Sequence, residues 1–171
     1  MPNKKSLIIL LLLILALLVV VHYIRRPQVE GVAEVGLQAP LFKLPDLQGS
    51  EVSLDQYRGK IVMLDFWATW CGPCRLTMPL LDSLQEEYAD ELALLAVNLQ
   101  EPSNIVDDYI REQNISSTVL LDQDGKVGQL YQTYSIPMQV LIDKQGILRF
   151  IQLGYSPIMR DKLRAEINKL R

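Results

Sequence analysis

Histidine and cysteine are both scarce in these 171 residues, with one of the first and two of the second. A single histidine cannot build a multi-histidine metal site, and two cysteines cannot complete a zinc site of four thiolates. Two cysteines are also too few for a disulfide-rich secreted scaffold, which usually carries four or more. Positive charge is not in excess either, since 17 basic residues stand against 20 acidic ones. No nucleic-acid partner is expected, because such binders cluster Lys and Arg. Whatever chemistry the chain performs must use few special side chains.

Apolar residues are plentiful, at 49%, but unevenly spread. Leu7 to Val21 is an unbroken apolar run, and only His22 separates it from Tyr23 and Ile24. Residues 1–26 carry Lys4, Lys5, Arg25 and Arg26 and no acid, so the remainder has 13 basic against 20 acidic side chains and a net charge of −7. As a helix, Leu7 to Ile24 would extend roughly 27 Å at ~1.5 Å per residue, close to the ~30 Å bilayer core. No small-x-small cleavage site follows the run; Gly31-Val32-Ala33 lies too far downstream. No cysteine is near enough to form a lipobox, and a run apolar on every face does not suit a buried core helix. The expected organisation is a cytoplasmic N-terminus (1–6), a transmembrane signal anchor (7–24), a linker (25–35) and a soluble domain (36–171). Charge gives only a slight bias in orientation, because Arg25 and Arg26 compete with Lys4 and Lys5.

The soluble part alternates strand and helix patterns. Phe42 to Leu44 and Glu51 to Leu54 flank Asp46-Leu47-Gln48-Gly49, which predicts a hairpin. Ile61 to Trp67 reads as a strand buried on both faces, and Leu92 to Val97 as a second. Between them, Leu76, Leu80, Leu81, Leu84 and Tyr88 have helical spacing within Cys71 to Tyr88. Ser103 is a candidate N-cap for the next helix. Strands are predicted at 118–121, 140–143 and 148–153, with a helix at 126–134 between the first two. Ser156-Pro157 has the cap-then-proline form of a last helix start. Such alternation implies an α/β domain with helices on the faces of a central sheet.

The chemistry sits in Trp70-Cys71-Gly72-Pro73-Cys74, at a strand-to-helix junction. A Cys-x-x-Cys pair beside a βαβ pattern is a redox signal, because two intervening residues let both sulfurs meet in the first helical turn. Cys71 then lies at the helix N-terminus, where unpaired N–H groups and the macrodipole stabilise a thiolate. Cys74, one turn inside, should be buried and hold its proton more strongly. That asymmetry makes Cys71 the attacking thiol and Cys74 the resolving one. Zinc binding lacks two further ligands, and a loop this short gains little from a structural disulfide.

Asp65-Phe66-Trp67-Ala68, continued by Trp70 to Arg75, resembles the active-site segment of thioredoxin. The longer pattern resembles the membrane-anchored TlpA/ResA-like thiol-disulfide oxidoreductases of the redoxin/AhpC-TSA type. Its marks are Ala39-Pro40-x-Phe42-x-Leu44 with Gly49 and Gly59-Lys60, and Ile136-Pro137 before Val140-Leu141-Ile142-Asp143. The resemblance implies a thioredoxin fold, a central mixed sheet flanked by helices, with an N-terminal β-hairpin extension and one preceding transmembrane helix. It also implies that Pro137 is a cis-proline opposite the dithiol and that Pro79 is the kink proline of the active-site helix. A substrate groove would comprise Trp70, Gly72, Pro73, Ile136, Pro137 and Met138, although Met138 equally fits a gap-filling core methionine. Trp70 would cover the dithiol, while Trp67 would pack.

Two carboxylates compete for the proton of Cys74. Asp65 stands inside an apolar strand, where an acid is costly unless used or kept neutral. Glu101, in Asn98-x-x-Glu101, resembles an active-site glutamate of ResA-like proteins, although it also fits a solvated residue entering the next helix. The chain departs from the family in two places: Thr77 precedes Met78-Pro79 where Glu is common, and Met138-Gln139 replaces Thr-Thr after the cis-proline. The resulting expectation is a membrane-tethered reductase of extracytoplasmic protein disulfides, such as those of apocytochrome c, with its domain on the outer side of the cell membrane. It would be recharged by a membrane electron donor of the CcdA/DsbD type, and it would need no cofactor or metal. The alternatives are a thiol peroxidase of the redoxin type and a redox-linked chaperone or binding module. Against peroxidase, neither the Pro nor the Thr of Pro-x-x-x-Thr-x-x-Cys stands before Cys71.

Overall fold

The computed structural model describes residues 13–16 and 33–171. Residues 13–16 are helical, and the rest of the expected anchor at 7–24 lies outside the described residues, as do the N-terminus at 1–6 and most of the linker. Among the described residues no helix is long and apolar enough to cross a membrane. One boundary moves. Ala33, placed in the linker from sequence, is buried in the domain, where its N–H bonds the carbonyl of Leu130 at 3.1 Å.

Ten further elements of the described residues follow a small N-terminal hairpin. The hairpin pairs β1 (Lys43–Pro45) with β2 (Glu51–Ser53) in antiparallel register, Leu44 opposite Val52. Its turn closes because Asp46 Oδ1 accepts from the N–H groups of Gln48 and Ser50, while Gly49 takes a φ of +81°. A 3-10 turn, Leu54–Tyr57, leads into β3 (Ile61–Trp67). Then come α1 (Gly72–Glu87), β4 (Leu92–Leu99), α2 (Ser103–Gln113), β5 (Thr118–Asp122) and α3 (Lys126–Leu130). The chain finishes with β6 (Met138–Ile142), β7 (Leu148–Leu153) and α4 (Met159–Leu170). The main sheet has five strands in the order β5-β4-β3-β6-β7. β3, β4 and β5 run parallel, and β6 and β7 join antiparallel, so the sheet is mixed.

The central strand divides the core by alternation. Val62, Leu64 and Phe66 face a layer made by the hairpin and α3, with Phe42, Leu44, Val127 and Tyr131. Ile61 and Met63 face the other way, against Leu81 and Leu84 of α1 and Met159, Leu163 and Ile167 of α4. Trp67 continues that second face toward Cys71, Cys74, Met78 and Val106. Asp65 lies between Met63 and Trp67 on this face and interrupts it with a carboxylate.

Local details differ from the sequence expectation at helix starts. The residue before α2 that serves as N-cap is Pro102, and Ser103 is already helical. Ile158, not Ser156, precedes α4, and neither helix has a side-chain cap. α3 is shorter than expected and stops at Leu130. Leu76 is exposed, because α1 turns Cys74, Thr77, Met78, Leu81 and Leu84 inward instead.

Candidate active site

β3 ends at Trp67, the chain stays buried through Ala68 and Thr69 and reaches the surface at Trp70, and α1 starts at Gly72. Cys71 is the N-cap of α1, in extended backbone conformation, and its Sγ accepts the N–H of Cys74 at 3.2 Å. Gly72 and Pro73 fill the first helical turn and are exposed. A proline suits this position because its missing N–H would have no helical partner there. Cys71 and Cys74 are disulfide-bonded, with Cα atoms 5.2 Å apart. Cys74 is fully enclosed, whereas Cys71 retains 4% exposure, so the sulfur at the helix end is the one a substrate can approach. Thr77 is buried one turn on, and its hydroxyl donates to the Cys74 carbonyl at 2.9 Å.

The loop before the dithiol is clamped on both sides of Thr69. Glu101, just after β4, accepts the Thr69 N–H at 2.7 Å and the Thr69 hydroxyl at 2.5 Å. Asn98 Nδ2 donates to the same carboxylate at 2.7 Å. From α1, the Arg75 guanidinium donates to the Thr69 carbonyl through Nε at 3.1 Å and Nη2 at 3.0 Å. Glu101 is therefore buried and engaged by three donors, not solvated at a helix entrance. Glu101 and the Asn98-x-x-Glu101 spacing stand out in the sequence, but Thr69 does not, because its role depends on a contact across 32 positions.

Asp65 has the opposite surroundings. It is 1% exposed, and its ladder neighbours are Ala96 on β4 and Gln139 on β6. Gln139 Nε2 donates to Oδ1 at 2.6 Å, and Oδ2 has no partner among the described residues. Burial pushes the Asp65 carboxyl up to about 7; the Gln139 bond pulls it down, and the Asp82 carboxylate raises it further. An acid that titrates near neutrality can exchange a proton with a thiol at working pH.

Ile136, which packs against the cluster that holds Cys71 and Cys74, is joined to Pro137 by a cis peptide bond. Trp70 is 71% exposed and Tyr134 88% exposed, and with Ile136 they border an open groove of about 560 Å³. Met138 does not belong to it. Its side chain is 2% exposed in the core, because pairing with Phe66 turns it to the hairpin face, away from Asp65 and Gln139.

The sequence pattern of the AhpC/TSA family matches residues 35–151. The chain belongs to the AhpC/TSA family. It is 39% identical over 127 residues to the thioredoxin-like protein YneN of Bacillus subtilis, covering 72% of this chain and 74% of the relative. It is 38% identical over 121 residues to the thiol-disulfide oxidoreductase ResA of Geobacillus kaustophilus, covering 70% of each. A Chlorobium tepidum crystal structure assigned as thiol:disulfide interchange protein DsbE superposes with a TM-score of 0.76 at 32% identity, over 81% of this chain and 98% of the other. This AhpC/TSA protein is a ResA-like member of the thioredoxin superfamily and a thiol-disulfide oxidoreductase.

Proposed function

We propose that the protein reduces disulfides of extracytoplasmic proteins, with apocytochrome c as one candidate, while tethered to the cell membrane by residues 7–24. The observation that carries the proposal is the pairing of a helix-capping Cys71 with an enclosed Cys74 above a sheet face that holds Asp65. Cys71 thiolate attacks one sulfur of the substrate disulfide and forms a mixed disulfide, releasing the other substrate sulfur as a thiolate. Cys74 gives its proton to Asp65 and attacks Cys71, which releases the second substrate thiol and leaves the Cys71–Cys74 disulfide. Asp65 suits this role better than Glu101, since one oxygen is unpartnered and its affinity for a proton is raised. Glu101 serves instead to hold Thr69, and through it the dithiol loop. The groove beside Trp70 and Ile136 receives the substrate chain. A membrane electron donor of the CcdA/DsbD type returns the disulfide to the dithiol.

Support for the reducing direction comes from Gly72-Pro73, the dipeptide of reducing thioredoxins. Peroxidase chemistry finds less support, because Leu64 and Ala68 occupy the positions where Pro and Thr would precede a peroxidatic cysteine. The deciding experiment uses the full-length Cys74→Ser protein expressed in cells, which should accumulate mixed disulfides through Cys71. Proteins with extracytoplasmic cysteine pairs are expected among those trapped. Capture of cytoplasmic proteins alone, or a redox potential near that of strong oxidants, would remove the proposal.

A further inference from the structure

Gln139 is a long polar side chain inside an otherwise apolar strand, β6, and its place in the fold gives it a physical meaning. It is fully buried, directly across the β3–β6 ladder from Asp65. One hydrogen bond joins them, from Nε2 to Oδ1 at 2.6 Å. Two acceptors beside that bond, Asp65 Oδ2 and Gln139 Oε1, are buried without partners. Orphaned acceptors in an apolar layer are costly, and such pairs call for a proton between them at some stage of the cycle.

The chemistry of a primary amide supplies the explanation. A carboxylate only accepts hydrogen bonds, whereas a carboxylic acid also has an O–H to donate. Glutamine offers an NH₂ donor and a carbonyl acceptor on one rotatable group, so it can partner either form. Nε2 serves the ionised acid, and a half-turn of the amide presents Oε1 to the protonated one. Lysine would suit only the first form, and an apolar residue neither.

We propose that Gln139 is a positioning residue that holds Asp65 in place through both of its protonation states while Cys74 resolves the mixed disulfide. The inference rests on Asp65 being the proton acceptor. The Cys74 S–H proton passes to the Asp65 carboxylate, and the Cys74 thiolate attacks the Cys71 sulfur. The bond between Cys71 and the substrate sulfur breaks, its electron pair leaving with the substrate thiolate. The Cys71–Cys74 bond forms, so the dithiol loses the two electrons that the substrate disulfide gains. Asp65 is now neutral, and Gln139 turns its carbonyl to the new O–H.

Few other charges face this acid. α1 contributes Asp82, a like charge, and the cysteine pair packs against Trp67, two residues along the same face of β3. β4 contributes only Ala96. Beyond Gln139 lies Gln152 on β7, whose Oε1 accepts from Lys162 of α4 at 2.9 Å.

The test follows the resolving step itself. Reduced full-length protein is mixed with one equivalent of 5,5′-dithiobis(2-nitrobenzoate), which yields thionitrobenzoate first from Cys71 attack and then from Cys74 attack. The second release is timed between about pH 5 and pH 9 for the parent, D65N, Q139M and D65N/Q139M. The parent midpoint is expected at about 7. Losing the Gln139 bond disfavours the ionised acid, so Q139M should move the midpoint up by about one pH unit and slow release about fivefold at pH 7. In the D65N background Q139M should add nothing. If D65N flattens the profile while Q139M leaves the midpoint unmoved, the role of Gln139 is refuted and that of Asp65 stands. If D65N leaves the profile unchanged, the proton-acceptor assignment falls and this proposal with it. Should Q139M not fold, Q139N keeps an amide but withdraws it by one methylene; a smaller upward shift supports the proposal, and an unmoved midpoint overturns it.

Discussion

Asp65 and Glu101 are two carboxylates buried around one dithiol, and the protein treats them in opposite ways. Glu101 is met by a backbone N–H, a hydroxyl and an amide, so its charge is solvated by the fold as water would solvate it. Asp65 receives one amide bond in an apolar layer and keeps one oxygen bare. Burial alone therefore does not make a buried acid a proton carrier. The supply of donors decides whether a buried carboxyl is held by its neighbours or left with a raised affinity for a proton.

D65N tests the Asp65 side of this contrast and carries the largest expected effects. A carboxyl raised from 3.8 to about 7 binds its proton more tightly in the folded state than in the unfolded one. Its cost to stability is absent below the unfolded value and complete above about pH 7. Removing the charge should stabilise the protein by up to about 4 kcal/mol at pH 8, with the gain fading toward pH 4. Urea denaturation across that range measures it. The same substitution should slow the Cys74 step about 100-fold at pH 8, since a positioned base is lost. A variant that is faster, or one equally destabilised at every pH, would break the contrast at its first term.

E101Q should act with the opposite sign. An amide oxygen can still accept both N–H donors, but the Thr69 hydroxyl must turn to accept from the NH₂ group, and the charge that strengthened all three bonds is gone. A loss of about 1–3 kcal/mol in urea denaturation at pH 7 is expected, with the pH midpoint of the Cys74 step unmoved. If E101Q moves that midpoint and D65N does not, the two acids have exchanged roles.

The smallest effect belongs to Met138. M138L conserves volume in the core behind Phe66, so it should cost less than about 1.5 kcal/mol and leave KM for a disulfide-linked peptide unchanged. A KM that rises severalfold would return Met138 to the groove and blur the division between the two faces of β6.

Much of this was legible from local pattern. Cys71 and Cys74 need only their spacing and a strand-to-helix junction, and the structure places Cys71 at the helix cap. The strand at Ile61–Trp67 and its odd acid at Asp65 stand out as an interruption of an apolar run. Helix starts were harder to read, because Pro102 and Ile158 occupy cap positions without any side-chain bond to mark them. Met138 was misplaced for a different reason. Its neighbour Pro137 lies at the site, but alternation on β6 sends successive side chains to opposite faces, and only the register with β3 says which face each one takes.

Sequence by itself determined the redox chemistry, since the dithiol depends on residues three positions apart and on the helix that begins between them. It also marked Asp65 as anomalous, because one charge in an apolar strand is visible without any fold. Tertiary structure alone decided what surrounds each acid. Asp65 meets Gln139 across 74 positions, and Glu101 meets Thr69 across 32. Those contacts exist because an antiparallel register and a loop at a strand end bring distant residues together. Hydrogen bonding acts over ångströms in space, and spacing along the chain carries no record of it once the partners lie on different strands.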